Sequence, residues 1–141
     1  KAINNATKAA MSLSDQFCVD RHKPHFLDLV KNKLDIIFAN EQEMLSLIDA
    51  KSFDDVLDFT KSLDKLFVIT RGEKGAVLVF ENKITENGIE NNLNIKDLTG
   101  AGDLFASGFL HGHLNNLSPL ECLNKGREMS SRVIQQIGAR L

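Results

Sequence analysis

Apolar residues in this chain occur in short continuous runs that are separated by longer segments of mixed polarity. Three such runs, at residues 35–39, 66–70 and 76–80, are almost entirely aliphatic or aromatic. A run of this length bounded by polar residues is typical of a strand that is covered on both faces. The pattern therefore predicts three buried strands, with a further short strand that begins at Met11.

The segments between these runs show the spacing of amphipathic helices. Pro24 and Pro119 suit the first turn of a helix, where a missing N–H leaves no bond unmade, and acidic residues near Phe53 favour a helix start there. Helices are predicted at residues 24–33, 41–48, 53–63, 102–114 and 119–137. Residues 81–97 are polar and rich in asparagine, which predicts extended segments and turns.

Strands that alternate with helices are typical of an α/β protein with a mainly parallel sheet and helices on both faces. The strands at 66–70 and 76–80 are an exception, because Gly72 and Gly75 between them suit the tight turn of an antiparallel hairpin. No repeat or linker divides the chain, so one domain is expected. In such sheets, ligands bind at the carboxyl ends of the strands.

The composition excludes several classes of function. The 141 residues carry a formal net charge of −2, with 17 basic and 19 acidic residues interspersed, so no nucleic acid is expected as a partner. Two cysteines far apart in sequence predict reduced thiols rather than a disulfide framework or a zinc site. No apolar run is long enough to span a bilayer and no signal peptide is recognisable. These features predict a cytoplasmic protein with no membrane partner.

Residues 97–105 join an extended segment to a helix and contain Gly100, Ala101 and Gly102, whose small size lets a ligand approach the backbone closely. The first amides of the helix have no partner within it. Together with the positive end of the helix dipole they predict an anion hole for a transferring phosphoryl group. Asp103 lies in the first turn, where the dipole favours the ionised carboxylate that a catalytic base requires.

Simpler interpretations of these residues stay open at this point. A Gly-Ala-Gly sequence also forms ordinary turns, and Asp103 would also serve as a common capping residue. The better-known glycine loops do not match. No Gly-Lys-Ser/Thr follows as in a Walker loop, and Phe105 stands where a dinucleotide-binding loop has its third glycine. A dinucleotide-binding oxidoreductase is therefore disfavoured.

Residues 97–105 resemble the C-terminal signature of the ribokinase-like (PfkB) carbohydrate and nucleoside kinases, usually Asp-Thr-Thr-Gly-Ala-Gly-Asp-x-Phe, with Leu98 as the one departure. The resemblance implies that Asp103 is the catalytic base and that the amides from Gly100 to Asp103 form the anion hole. It also implies the family's three-layer α/β/α fold, of which residues 1–141 would form the C-terminal, nucleotide-binding and catalytic part.

Two further segments resemble motifs of the same family, in the same order. Asn40 and Glu43 match its Asn-x-x-Glu motif, which lies near the nucleotide phosphates and helps to organise Mg²⁺, with Glu43 acting through water. Thr70, Gly72 and Gly75 match its Thr-x-Gly-x-x-Gly nucleotide-binding turn. Taken alone, the first pair is an ordinary helix capping box and the second set is a plain hairpin turn.

The resemblance extends to the last residues. Gly126 and Gly138 fall where the family's closing helix and the loop after it line the adenine pocket and, in many members, a site for a monovalent cation such as K⁺. The resemblance implies that Asp97 and Thr99 supply oxygens to that cation.

The function that the resemblance implies is an ATP-dependent phosphotransferase with Mg²⁺, acting on a hydroxyl of a sugar or nucleoside. Residues 13–17, 35–41 and 131–134 are most similar to the adenosine-kinase-like branch. The rival interpretation is a catalytically silent nucleotide-binding module that serves as a regulator. The part of the family domain that recognises the acceptor lies outside these residues. The chain alone is therefore expected to be inactive and to need the rest of the protein, or a second copy in a homodimer, to cover its apolar surface.

Overall fold

The computed structural model describes residues 3–140, apart from the side chain of Asn4. Within these residues the strands and α-helices follow in the order β1 Ala10–Ser12, α1 Gln16–Asn32, β2 Ile36–Asn40, α2 Glu41–Leu47, α3 Phe53–Lys61, β3 Leu66–Thr70, β4 Ala76–Phe80, β5 Lys83–Asn87, α4 Ala101–Leu114 and α5 Pro119–Val133. Short 3₁₀ turns occur at Ile3–Asn5 and Gly72–Lys74. No helix in this described part has the length and apolar character needed to cross a membrane.

The strands form one sheet in the order β1-β2-β3-β4-β5. β1, β2 and β3 run parallel, and their register pairs Asn40 at the end of β2 with Thr70 at the end of β3. β4 and β5 follow through short turns, which can join only antiparallel neighbours. The predicted α/β fold with parallel strands and a hairpin is confirmed.

A second hairpin joins β4 to β5. Glu81 and Asn82 connect the two strands, and their φ angles of 48° and 61° are both in the left-handed region. Two successive residues of this kind make the type I′ turn that matches the twist of antiparallel strands. β5 therefore occupies part of the segment for which the sequence predicts only extended residues and turns.

Helix α1 begins earlier than the sequence predicts. Its first residue is Gln16 rather than Pro24, and Asp15 caps it by accepting a hydrogen bond from the N–H of Phe17 at 2.9 Å. The helix is kinked at His22, where φ is −125° and ψ is 26°. Pro24 thus lies in the first turn of a second helical segment, as predicted, and the first segment was missed because its start is marked only by the cap.

The chain folds into two compact units. The first comprises the chain up to Thr70 together with Leu78–Ile84, and the second comprises Arg71–Val77 and the chain from Thr85 onward. In the first unit, α2 packs against α1 and α3, and its fully buried side chains include Ile37, Met44, Leu47, Phe67 and Ile69. In the second unit, α4 packs against α5, with Phe109 and Leu123 completely buried.

Candidate active site

The turn before α4 depends on Gly100. Its φ is 79°, in the left-handed region that favours glycine. A Cβ at this position would also lie 2.7 Å from the Cβ of Ala139, which is too close for any side chain. Gly100 is therefore required both by the backbone conformation and by the close approach of the segment that follows α5.

The first turn of α4 leaves backbone amides available. Gly100 is the N-cap residue and offers no capping side chain. Ala101 donates its N–H to the carbonyl oxygen of Leu98 at 3.2 Å, whereas the N–H groups of Gly102 and Asp103 have no acceptor among the described residues. Two amides at the positive end of a helix dipole form a suitable site for an anion.

Asp103 is the third residue of α4, and its side chain is exposed. Its backbone carbonyl accepts a hydrogen bond from the hydroxyl of Ser107 at 2.9 Å, and within residues 3–140 no group donates to its carboxylate. An exposed acid in the same helical turn as two unpaired amides suits a proton acceptor near an anion site.

Asp97 ties the segment before this turn to the segment after α5. Its Oδ1 accepts hydrogen bonds from the N–H of Thr99 at 2.9 Å and from the Thr99 hydroxyl at 2.7 Å. Its Oδ2 accepts from the N–H of Gly138 at 2.9 Å. These donors, the Thr99 hydroxyl foremost, lower the pKa of Asp97 from 3.8 to about 2. Asp97 thus contacts both Thr99 and Gly138, the other two residues predicted to form a cation site.

In the first unit, Asn40 and Glu43 form a complete capping box at the start of α2. The Asn40 N–H donates to Glu43 Oε2 at 2.9 Å, the Asn40 side-chain Nδ2 donates to Oε1 at 2.8 Å, and the Glu43 N–H donates to Asn40 Oδ1 at 2.8 Å. Only 4% of Glu43 is exposed. Burial raises the pKa of Glu43 above 4.5, the Asn40 N–H lowers it, and the negative charge of Asp15 raises it further.

Thr70 lies beside Asn40 at the carboxyl ends of neighbouring parallel strands, as their register shows. The residues after Thr70 form the predicted turn, closed by a hydrogen bond from the N–H of Arg71 to the carbonyl oxygen of Gly75 at 2.8 Å. Gly72 and Gly75 have φ angles of 56° and 82°. The glycines of the predicted motif are therefore needed by the backbone whatever the turn binds.

Gly126 lies in the contact between α4 and α5. A Cβ at this position would stand 2.7 Å from a ring carbon of Phe105 and 2.8 Å from its carbonyl oxygen. The structure therefore explains Gly126 by the packing of the two helices, and its predicted place beside a nucleotide remains a prediction.

The comparison with known proteins decides the family. A model of the pfkB family of carbohydrate kinases matches residues 1–141. The chain belongs to this family. A cytidine kinase from Thermococcus kodakarensis is 38% identical over 118 residues, which cover 77% of this chain and 40% of that protein.

Solved structures agree. The adenosine kinase from Sinorhizobium meliloti is 39% identical with a TM-score of 0.89, over 95% of this chain and 41% of that one. A probable sugar kinase protein from Rhizobium etli CFN 42 is 40% identical with a TM-score of 0.92, and the match covers 99% of this chain and 42% of that one. These similarities confirm the ribokinase-like fold. The chain spans about two fifths of the length of these pfkB-family relatives.

The structure groups the predicted site residues within each unit. In the first unit Asn40, Glu43 and Thr70 lie together. In the second unit, Thr99 and Gly138 both donate hydrogen bonds to Asp97, close to the start of α4.

Sequence reasoning gave no role to two residues near these groups, namely Asp15 and Asn87. Asp15 could have been found as the N-cap of the first segment of α1. Asn87 carries no local signal, because its importance arises from contacts with distant residues.

Proposed function

We propose that the protein containing this chain is a kinase that transfers the γ-phosphoryl group of ATP to a hydroxyl of a sugar or nucleoside. The observation that carries this proposal is the start of α4, where the exposed Asp103 lies in the same helical turn as the unpaired N–H groups of Gly102 and Asp103. Membership of the pfkB family supports it, as do the names of the cytidine, adenosine and sugar kinases to which the chain is similar.

In the proposed reaction Asp103 accepts the proton of the acceptor hydroxyl as its oxygen forms a bond to the γ-phosphorus and the bond to the ADP oxygen breaks. The amides at Gly102 and Asp103 stabilise the negative charge of the transferring group, with Gly100 and Ala101 shaping the turn that presents them. Because phosphoryl transfer requires little covalent chemistry from the protein, positioning and charge stabilisation supply most of the rate.

The turn at Thr70, Gly72 and Gly75 is proposed to bind the nucleotide, with Gly126 near the adenine. Bound Mg²⁺ would neutralise charge on the phosphates. Each Glu43 oxygen accepts one hydrogen bond from Asn40 and retains a further lone pair, which fits contact with Mg²⁺ through water. A cation nearby would also offset the effect of Asp15 on the buried Glu43 carboxylate.

A K⁺ site at Asp97, Thr99 and Gly138 remains part of the proposal. Asp97 Oδ2 accepts a single hydrogen bond, from Gly138, so it retains a lone pair for a cation. The lowered pKa of Asp97 means that its carboxylate carries a negative charge at neutral pH.

We place the kinase in the cytoplasm, where ATP is available, with a small molecule as its acceptor.

The test is an acceptor panel with the full-length protein. We expect ATP- and Mg²⁺-dependent formation of a phosphorylated product from at least one of adenosine, cytidine, ribose and fructose, detected by mass spectrometry together with ADP release. ATP binding without phosphorylation of any sugar or nucleoside would instead favour a catalytically silent module. Failure to bind ATP would refute both.

A further inference from the structure

Asn87, the last residue of β5, is one of the few buried polar side chains among the described residues, with 9% of its surface exposed. Its Oδ1 accepts a hydrogen bond from the N–H of Ala76 at 3.2 Å. Its Nδ2 donates to Oδ1 of Asn124 in α5 at 3.3 Å. A buried amide is costly unless its polar atoms are paired, so both bonds specify where Asn87 must lie.

The Asn87 backbone also contacts the turn that contains Gly75. A Cβ on Gly75 would lie 2.0 Å from the carbonyl oxygen of Asn87. The turn therefore packs directly on the Asn87 backbone, and the Asn87 side chain binds the residue that immediately follows Gly75.

Helix α5 holds the same segment at two points. Asn124 accepts from the Asn87 side chain, and Arg127, one helical turn later, donates from Nη1 to the carbonyl oxygen of Gly88 at 3.2 Å. Residues three apart lie on one face of a helix. This face of α5 therefore holds Asn87 and Gly88 in place. Asn87 then contacts the turn that contains Gly75.

We propose that Asn87 is a positioning residue that holds the turn at Gly72–Lys74 and Gly75 in the conformation that binds the nucleotide. The inference rests on the proposed function, in which this turn contacts ATP. Glycines restrict the backbone less than other residues do, so the contacts with Asn87 add to the backbone hydrogen bonds that close the turn. A turn that is already ordered binds its ligand without the cost of ordering it.

The kinetic test uses three variants of the full-length kinase. In Asn87→Ala both hydrogen bonds are lost, and in Asn124→Ala only the contact with α5 is lost. Asn124→Asp is the matched control, because its carboxylate can still accept the Asn87 hydrogen bond. We expect the KM for ATP to rise about tenfold in Asn87→Ala, because two buried hydrogen bonds are lost. The KM for ATP should rise less in Asn124→Ala, because only one of them is lost.

The distribution of the effect separates positioning from general damage. Because Asn87 touches neither the acceptor nor Asp103 in the proposal, kcat and the KM for the acceptor should stay within about twofold of the wild type. In Asn124→Asp the KM for ATP should also lie within about twofold of the wild-type value. Equal changes in kcat and in both KM values would overturn the proposal, as would an unchanged KM for ATP in Asn87→Ala.

A second measurement does not require nucleotide binding. Arg71 and Lys74 are trypsin sites within or beside the turn, and we expect faster cleavage there in Asn87→Ala and Asn124→Ala than in Asn124→Asp. Unchanged cleavage would overturn the positioning role, and faster cleavage with an unchanged KM for ATP would overturn its link to the nucleotide. Absence of ATP turnover in the wild type would refute the proposed function, while the cleavage rates would still decide whether Asn87 orders the turn.

Discussion

Asp97 holds two distant segments of the chain through the N–H and hydroxyl of Thr99 and the N–H of Gly138. All three are hydrogen-bond donors, and all favour the ionised carboxylate. The pKa of Asp97 therefore falls from 3.8 to about 2 in the folded protein. Because the unfolded chain binds the proton more tightly, Asp97 contributes stability above pH 3.8, and this contribution is lost as the pH falls towards 2.

Replacement of Asp97 by Asn should make stability less sensitive to acid. We expect the unfolding midpoint of the wild type to fall more steeply between about pH 4 and pH 2 than that of Asp97→Asn, since the amide does not titrate. Thermal unfolding followed by circular dichroism across this range measures the difference. Asp64→Asn, at an exposed position between α3 and β3, is the matched control and should follow the wild type; identical pH profiles for all three proteins would contradict the role of Asp97.

The residues of the site differ in how far sequence could reveal them. Asn40 and Glu43 stand at capping-box spacing, so both their local hydrogen bonds and the family motif were visible in the sequence. Asp103 was identifiable because the glycine turn and the acid are adjacent. Asn87 was not, since an asparagine in a polar segment gives no sign that it becomes buried against α5.

Among the elements, strands were predicted best where the chain is apolar without interruption. β3 and β4 have the predicted bounds, and β2 is displaced by one residue. β5 carries polar residues at most positions and was described only as extended, because its identity as a strand comes from pairing and from the turn at Glu81 and Asn82. The closing helix α5 ends at Val133 rather than at residue 137, and the chain then turns back so that Gly138 reaches Asp97.

The turn between β3 and β4 gives a direct test of close packing. Gly75→Ala places a methyl group 2.0 Å from the backbone oxygen of Asn87 in a residue whose φ is 82°, so the backbone must shift. We expect a loss of about 2 kcal/mol or more in the free energy of unfolding, measured by urea denaturation of the full-length protein.

Gly88→Ala is the control for this substitution. No heavy atom lies within 4 Å of the position that its Cβ would occupy, and its φ lies outside the left-handed region. Its free energy of unfolding should stay within about 0.5 kcal/mol of the wild type. Equal stability of Gly75→Ala and Gly88→Ala would show that the turn does not pack on Asn87.

For the whole molecule, the family and fold follow from the sequence, whereas the acceptor does not. The chain spans about two fifths of its relatives, and several large apolar side chains are exposed, including Phe17 at 76%, Leu114 at 78% and Ile137 at 87%. The expectations that residues 1–141 form one part of a kinase domain and are inactive alone stay predictions. The identity of the acceptor depends on groups that contact it, and none of the three motifs specifies them.

The central claim is that Asp103 is the base of a phosphoryl-transfer site. The measurement is single-turnover phosphoryl transfer by the full-length Asp103→Asn variant with the acceptor found in the panel, alongside ATP titration of the same sample and Asp64→Asn as a matched control. We predict that Asp103→Asn lowers the transfer rate by about 10²-fold to 10⁴-fold with the Kd for ATP within about threefold of the wild type, since the amides remain. An unchanged transfer rate would contradict the account.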